Sequence, residues 1–213
     1  MKEELRLQNT SKSYEPKMIT SLMKPQTCQE LIHYHKSHRH LTGVGDGSDY
    51  TGIRFMHIFT PWVRKAIGEV VVNLTGEIRK ISDQIVYPEM IALNEWPIGG
   101  IQRPHLDTYS NQEVNHGTSP DKPSREWTCI LYLNHNYSGG QTYIPDGKVY
   151  DPIMGGGLLF QGIYIPHGVH KVRRHPRHTI SFWFTTDIDR CMPINPVEDL
   201  NLDEDSWRLQ NTQ

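Results

Sequence analysis

The chain has 213 residues, 22 Lys and Arg against 24 Asp and Glu, a formal charge of −2 and 36% hydrophobic residues. That length suffices for one domain with a real core, while the near-neutral charge gives no electrostatic case for nucleic acid or an anionic membrane as partner. No apolar run approaches a membrane span, and the charged start lacks the apolar core of a signal peptide. Cys28, Cys129 and Cys191 are widely spaced without a Cys-x-x-Cys pair, so reduced thiols and a cytoplasmic location are expected.

In chain order, residues 1–19 are polar and unpatterned, a lead-in or an edge strand. Residues 25–37 read as a helix, with Thr27 as a candidate N-cap and Cys28, Leu31, Ile32 and His35 at helical spacing. Residues 42–50 form a Gly-rich loop that lacks the Lys-Ser/Thr ending and the strand-to-helix setting of a phosphate cradle. A short strand is expected at 54–59. Residues 61–84 give the clearest helix: Pro61 suits the first turn, and Ile67, Val70, Leu74, Ile78, Ile81 and Ile85 recur every three or four residues. Gly68 and Gly76 weaken that helix by about 1 kcal/mol each relative to alanine.

From residue 85 the texture turns to β. Short segments at 85–86, 90–96, 101–107, 127–133, 141–144, 158–161, 163–172 and 177–185 are parted by Gly, Pro, Asn and Asp, the spacing of a sandwich or jelly-roll barrel. The polar stretch 108–126 is long for a structureless connection and is a candidate lid. The acidic tail 186–213 is expected to wrap the outside or fray. The expected organisation is one domain, with 1–84 as lead-in and supporting helices, 85–185 as the β core and 186–213 as the tail.

Histidine, at 12 copies, is the unusual residue. His105 and Asp107 stand two apart on a predicted strand, so both side chains point to one face and can reach one metal ion. Alone the pair means little, since about one His-x-Asp arises by chance in a chain of this composition. Two histidines and one carboxylate leave three coordination positions open, which suits a non-haem Fe(II) that must bind a cosubstrate and O2. The second histidine has two candidates, His167 and His170. Strand 177–185 alternates, with Arg177, Thr179, Ser181 and Trp183 on one face and His178, Ile180, Phe182 and Phe184 on the other. An inward arginine offers a fork for the far carboxylate of such a cosubstrate. His33, His35, His38 and His40 follow a helix without a nearby cysteine and are expected on its solvated side, not as zinc ligands. His170, His175 and His178 are expected beside the site or exposed.

From about Asn94 to Thr185 the chain resembles the Fe(II)- and 2-oxoglutarate-dependent dioxygenases, and within them the prolyl 4-hydroxylase-like branch. The resemblance rests on five blocks in the right order. Trp96, Gly99 and Gly100 lead to His105-x-Asp107. Thr128 to Asn134 comes after it, then Gly139, Gly140, Gln141 and Thr142, where the family usually has Gly-Gly-Glu-Thr. Gly157 to Phe160 and then His167-Gly-Val come next, with Arg177 six residues before Trp183. Residues 25–38 also look like the helix that commonly opens these domains.

The resemblance implies a double-stranded β-helix, a cupin-like jelly roll with supporting helices packed on one sheet. It implies Fe(II) on His105, Asp107 and one distal histidine. Arg177 would pair with the far carboxylate of 2-oxoglutarate, Tyr132 and Ser181 would hydrogen-bond that carboxylate, and Trp183 would pack beside the site. Family members place the basic residue nine to eleven positions after the distal histidine, which favours His167 over His170. Lys171 in place of the common proline, and Arg173 to Pro176 in place of the usual turn, depart from the pattern. The implied reaction converts 2-oxoglutarate to succinate and CO2 and hydroxylates an unactivated C–H, with O2 as cosubstrate and ascorbate as a candidate reductant. By analogy the substrate is a prolyl residue of a peptide or protein. Two alternatives stand beside it: the same chemistry on a free amino acid or other small molecule, and a non-catalytic, metal-binding cupin-like module.

Overall fold

The structure is a computed structural model, and it describes residues 13–44, 49–109, 122, 124–194 and 198–199. Two α-helices precede most of the β structure. Helix α1 (Pro25–Ser37) begins on Pro25, whose fixed φ suits the first turn, and buries Cys28, Leu31, Tyr34 and His35. Its N-cap is Lys24 and makes no side-chain cap, so Thr27 lies inside the helix instead of capping it. At the other end the His38 backbone N–H and ring Nδ1 both bond the Tyr34 carbonyl, at 3.0 and 2.9 Å, closing an otherwise open acceptor. Helix α2 (Pro61–Ser82) carries the expected stripe, burying Val63, Ile67, Val70, Val71, Leu74 and Ile78. It stops at Asp83, which turns left-handed at φ 58° and returns its N–H to the Arg79 carbonyl.

Eleven strands are described: β1 (Lys17–Ile19), β2 (Gly43–Val44), β3 (Thr51–Arg54), β4 (Tyr87–Trp96), β5 (Gln102–His105), β6 (Trp127–Tyr132), β7 (Thr142–Tyr143), β8 (Val149–Tyr150), β9 (Gly157–Phe160), β10 (His167–Val169) and β11 (Arg177–Thr185). They form two antiparallel sheets. The larger has the order β1-β9-β6-β11-β4-β3-β2, and the smaller β5-β10-β7-β8. The segment expected as a strand at 54–59 is instead the end of β3 followed by a 3-10 turn, Phe55–His57. Residues 85 and 86 precede β4 and are not paired. Residues 17–19 form an edge strand on β9.

The two faces of the large sheet differ in chemistry, and period-2 alternation decides which side chain goes where. On the helix side, Ile91 and Leu93 of β4, Cys129 and Leu131 of β6, Leu159 of β9, and Ile180, Phe182 and Phe184 of β11 join the buried residues of α1 and α2 in the main core. Each of these fully buried aliphatic or aromatic side chains contributes about 1.5–3 kcal/mol by leaving water. The opposite face presents Thr128, Ile130 and Tyr132 beside Thr179, Ser181 and Trp183, in direct cross-strand register. Asn94 and Trp96 extend it from β4. This face is more polar, and the candidates Tyr132, Arg177, Ser181 and Trp183 lie on it. The candidate lid lies mostly outside the described residues, as does most of the tail. Among the described tail residues, Met192 and Ile194 rest on the main core and Asp199 is buried, while Ile188 is exposed.

Candidate metal and cosubstrate site

His105 ends β5 and sits directly opposite His167 at the start of β10, so one antiparallel pair sets two imidazoles side by side, ring centroids 4.4 Å apart. Asp107 lies two residues after His105, where its backbone N–H donates to the Gly162 carbonyl at 3.1 Å. One carboxylate oxygen lies 3.7 Å from His105 Nε2 and the other 3.7 Å from His167 Nε2. All three side chains are buried, and one donor atom from each falls within 4.8 Å of the other two. His170, the alternative, is exposed and stacks on Tyr143 with centroids 4.3 Å apart. It is not in this group.

The imidazoles are oriented for ligation. His105 Nδ1 lies 3.1 Å from the Arg103 carbonyl and His167 Nδ1 lies 3.1 Å from the Ile165 carbonyl. A carbonyl only accepts, so each Nδ1 must carry the proton, which leaves both Nε2 lone pairs on the Asp107 side. The Gln102 amide, 3.2 Å from His105 Nε2, donates to the same lone pair. Asp107 accepts from the Thr128 hydroxyl at 2.5 Å. Burial opposes its ionisation, but the two imidazoles and Thr128 outweigh burial and hold the carboxyl well below its usual range. Burial lowers His167 to about 4 against the pull of Asp107, so it is neutral and able to ligate at neutral pH. His105 is shifted the other way; burial opposes its charged form, and the bond and charge of Asp107 more than compensate. Gly162 completes the corner. A Cβ there would run into the Thr128 hydroxyl and the Asp107 carboxylate.

Arg177 begins β11, on the large-sheet face that carries Thr128 and Tyr132, and is 1% exposed. Among the described residues it forms no ion pair, and its Nε has no hydrogen-bond partner. Its Nη2 donates to Thr142 Oγ1 at 3.4 Å. The guanidinium lies 5.2 Å from the Trp96 ring and 5.6 Å from the Tyr132 ring. The Tyr132 hydroxyl also donates to Thr142 Oγ1, at 2.9 Å, so arginine, tyrosine and threonine meet at one point. Ser181 sits two pairs further along β11, and its hydroxyl accepts from the Asn94 amide at 2.9 Å. Trp183 pairs with Thr128, the residue bonded to Asp107.

Four residues here carry weight that the sequence did not assign to them. Thr128 fixes Asp107, Thr142 joins Tyr132 to Arg177, and Asn94 occupies Ser181. The buried Tyr137 hydroxyl, unpartnered, faces the charge of Arg177; burial raises its pKa to about 12, with Arg177 opposing. Thr128 was findable in principle, because it shares the inward parity of Tyr132 on one strand. Thr142 depends on Gly139 and Gly140, both at φ 65°. A Cβ at Gly139 would strike the Lys171 carbonyl, and one at Gly140 would crowd Tyr137 and the Arg177 side chain.

Residues 92–185 match the family model described as the 2OG-Fe(II) oxygenase superfamily. Prolyl 3-hydroxylase 1 of Rattus norvegicus is 39% identical over 70 residues, a stretch covering 30% of this chain; the match spans about a tenth of that relative, 10% of its length. Viral collagen prolyl hydroxylase from Paramecium Bursaria Chlorella virus-1, solved as a 2OG complex, superposes with a TM-score of 0.61 at 16% identity, covering 81% of this chain and 96% of that one. A prolyl hydroxylase from Trichoplax adhaerens, in complex with a hypoxia inducible factor oxygen degradation domain peptide fragment, gives 0.60 at 15% identity over 82% and 85%. At these identities the solved structures establish the fold: two antiparallel sheets and two helices in the jelly-roll arrangement of those oxygenases.

Proposed function

Taking residues 92–185 as a 2OG-Fe(II) oxygenase domain, we propose that the chain is an Fe(II)- and 2-oxoglutarate-dependent hydroxylase of prolyl residues in a peptide or protein. His105, Asp107 and His167 would hold Fe(II), and Arg177, with Tyr132 and Ser181, would receive 2-oxoglutarate. The observation that carries this reading is a pairing. A buried two-histidine, one-carboxylate group on the small sheet is tied through Thr128 to the polar face of the large sheet, and on that face a buried arginine has no carboxylate partner among the described residues. A cation taken out of water without a counter-charge is costly, so Arg177 supports a ligand that brings an anion.

The donor set fits the metal. Two imidazoles with unprotonated Nε2 atoms, that of His105 released by the Gln102 amide, and an ionised carboxylate would occupy one side of an ion and leave the remaining positions for cosubstrate and O2. When bound, iron supplies the redox chemistry by which 2-oxoglutarate, O2 and R–H become succinate, CO2 and R–OH. The chain's own residues supply aim. The Arg103 and Ile165 carbonyls fix both imidazole tautomers, and Thr128 anchors one oxygen of Asp107. Thr128 and Tyr132 face the same way on β6 about 13 Å apart at Cα, so the metal-ligand candidates, bonded at Thr128, and Arg177, which meets Tyr132 at Thr142, would act from opposite ends of that row. Phe160, edge-on to His167 at 4.5 Å, and Trp183 help keep water from the reacting atoms.

The prolyl substrate rests on the names of the similar proteins, among them one crystallised with a peptide. The test begins without O2, measuring binding of 2-oxoglutarate to the Fe(II)-loaded chain by calorimetry. O2 and a proline-containing peptide are then admitted, and succinate and a peptide heavier by one oxygen are measured. Asp107→Ala is expected to abolish both. Iron binding without 2-oxoglutarate binding or turnover would overturn the oxygenase reading; succinate with free proline alone would move the substrate to a small molecule.

A further inference from the structure

On the helix side of the large sheet, away from Arg177 and the His105 group, three more donor side chains converge. His178 of β11 is paired directly with Glu95 of β4, and its Nε2 lies 3.0 Å from Glu95 Oε2. Helix α1 brings His35 Nδ1 to 3.8 Å from the same oxygen. One donor atom of each falls within 4.8 Å of the others. Both histidines are about as buried as the residues of the candidate iron site, at 1% and 2% exposure. The parity that sends Arg177 to one face of β11 sends His178 to the other, so this cluster is separate from the proposed iron site.

Its hydrogen bonding is incomplete. His35 Nδ1 and Nε2 and His178 Nδ1 are all buried without a partner. Buried imidazoles in folded proteins are ordinarily satisfied on at least one ring nitrogen, whereas His35 has the Thr51 backbone nearby but no well-formed hydrogen bond on either. Glu95 is held at 2.9 and 3.3 Å by Arg39, but that guanidinium is 64% exposed and can swing into water. His178 also lines a cavity of about 350 Å³ together with His135 and His175, so one of the three groups borders space that water can enter. Two neutral imidazoles and a carboxylate match the borderline donor preference of zinc. Zn–N and Zn–O bonds of about 2.0–2.2 Å put tetrahedral ligands about 3.4 Å apart, so the 3.0 Å His178–Glu95 contact would open slightly and the His35 ring would move inward.

We propose that His35, Glu95 and His178 form a second divalent-metal site, fitted to Zn(II), that fastens helix α1 to the sheet on the side opposite the proposed iron site. The three ligands come from elements far apart in sequence, so an ion held here would couple metal binding to folding. Arg39 serves as the counter-charge to Glu95 when the metal is absent, and the metal displaces it.

The test uses the full chain, stripped with chelator, loaded with Zn(II), dialysed, and assayed for bound metal by mass spectrometry. Asp107→Ala leaves the second cluster untouched and is expected to retain one equivalent. Glu95→Gln introduced into that background is expected to lose it. In Asp107→Ala, Zn(II) should raise the unfolding temperature, and Arg39→Ala, an exposed change, should tighten zinc binding about tenfold by removing the competing cation. Asp107→Ala that binds no zinc would overturn the proposal. So would an equivalent that persists in Glu95→Gln, since it would place the ion elsewhere, for example on the exposed His33 and His40.

Discussion

Arg177 and His167 show what burial adds to residue identity. An arginine on a strand is ordinary at an edge; at 1% exposure with an unpartnered Nε it needs an anion. Replacing Arg177 with alanine is therefore expected to raise the 2-oxoglutarate concentration for half-maximal rate on the order of 100-fold, the scale of one lost charge-assisted pair. Fe(II) affinity should change little, because no metal-ligand candidate bonds to Arg177; succinate-release kinetics beside a metal titration would check both. The two histidines of the Ile165–His170 segment make a matched pair of predictions. His167→Ala should lose iron and turnover, since its Nε2 faces Asp107. His170→Ala should keep the iron, because the ring is exposed and only stacks on Tyr143. Iron lost from the His170 variant alone would reverse the assignment.

Among the elements, helix α1 departs furthest from expectation. Its histidines look like one polar run in sequence, and His33 and His40 are indeed exposed. His35 is not: it falls on the buried stripe with Leu31 and Cys28 and meets Glu95 and His178 inside. Burial lowers His35 to about 4, with Glu95 opposing, and burial lowers His178 as well. Arg39 and Lys36 add positive charge to the same cluster. Glu95 is lowered despite its burial, because the bond to His178 and the surrounding cations outweigh that burial. The signs agree. A histidine whose folded pKa lies below its unfolded value keeps full stability above about pH 6.5 and loses it as pH falls toward 4. Glu95 adds loss as pH falls through the carboxylate range. In chelator, the urea midpoint of unfolding is expected to drop steadily from pH 7 to 4.5, with His35 accounting for on the order of 2–3 kcal/mol. A flat profile would mean that these rings are not buried neutral.

At the scale of the molecule, the two-faced large sheet separates the work. Helices and apolar strand residues stabilise one face, leaving the other free to hold small, polar and charged groups. Described residues beyond β11 contact the supporting side. Asp199 is buried and accepts two 2.6 Å bonds from Arg64 of α2, whose guanidinium also lies over Phe55 and bonds the Ile58 carbonyl. Removing the charge with Asp199→Asn should cost about 2 kcal/mol, less than a fully buried pair because Arg64 is 21% exposed. Denaturant titration would measure it, and no loss would show the tail to be dispensable.

Sequence by itself determined the local periodicities and the side-chain faces they define. The stripe of α2, the boundaries of β11 and the shared face of Arg177, Thr179, Ser181 and Trp183 are set by 3.6- and 2-residue repeats, which need no partner to be read. The candidates were named from sequence on two grounds: His105 and Asp107 by their two-residue spacing, and His167 and Arg177 by residue chemistry and the spacing of the family they resemble. Tertiary structure alone decided which groups meet. It set His105 opposite His167 through one strand pair, gave Asp107 to Thr128, and gathered Tyr132 and Arg177 on Thr142. It also buried His35 against two residues from distant strands. Those meetings depend on register and sheet order, which are fixed by long-range pairing and by the burial of one whole face at once; no local pattern carries that information.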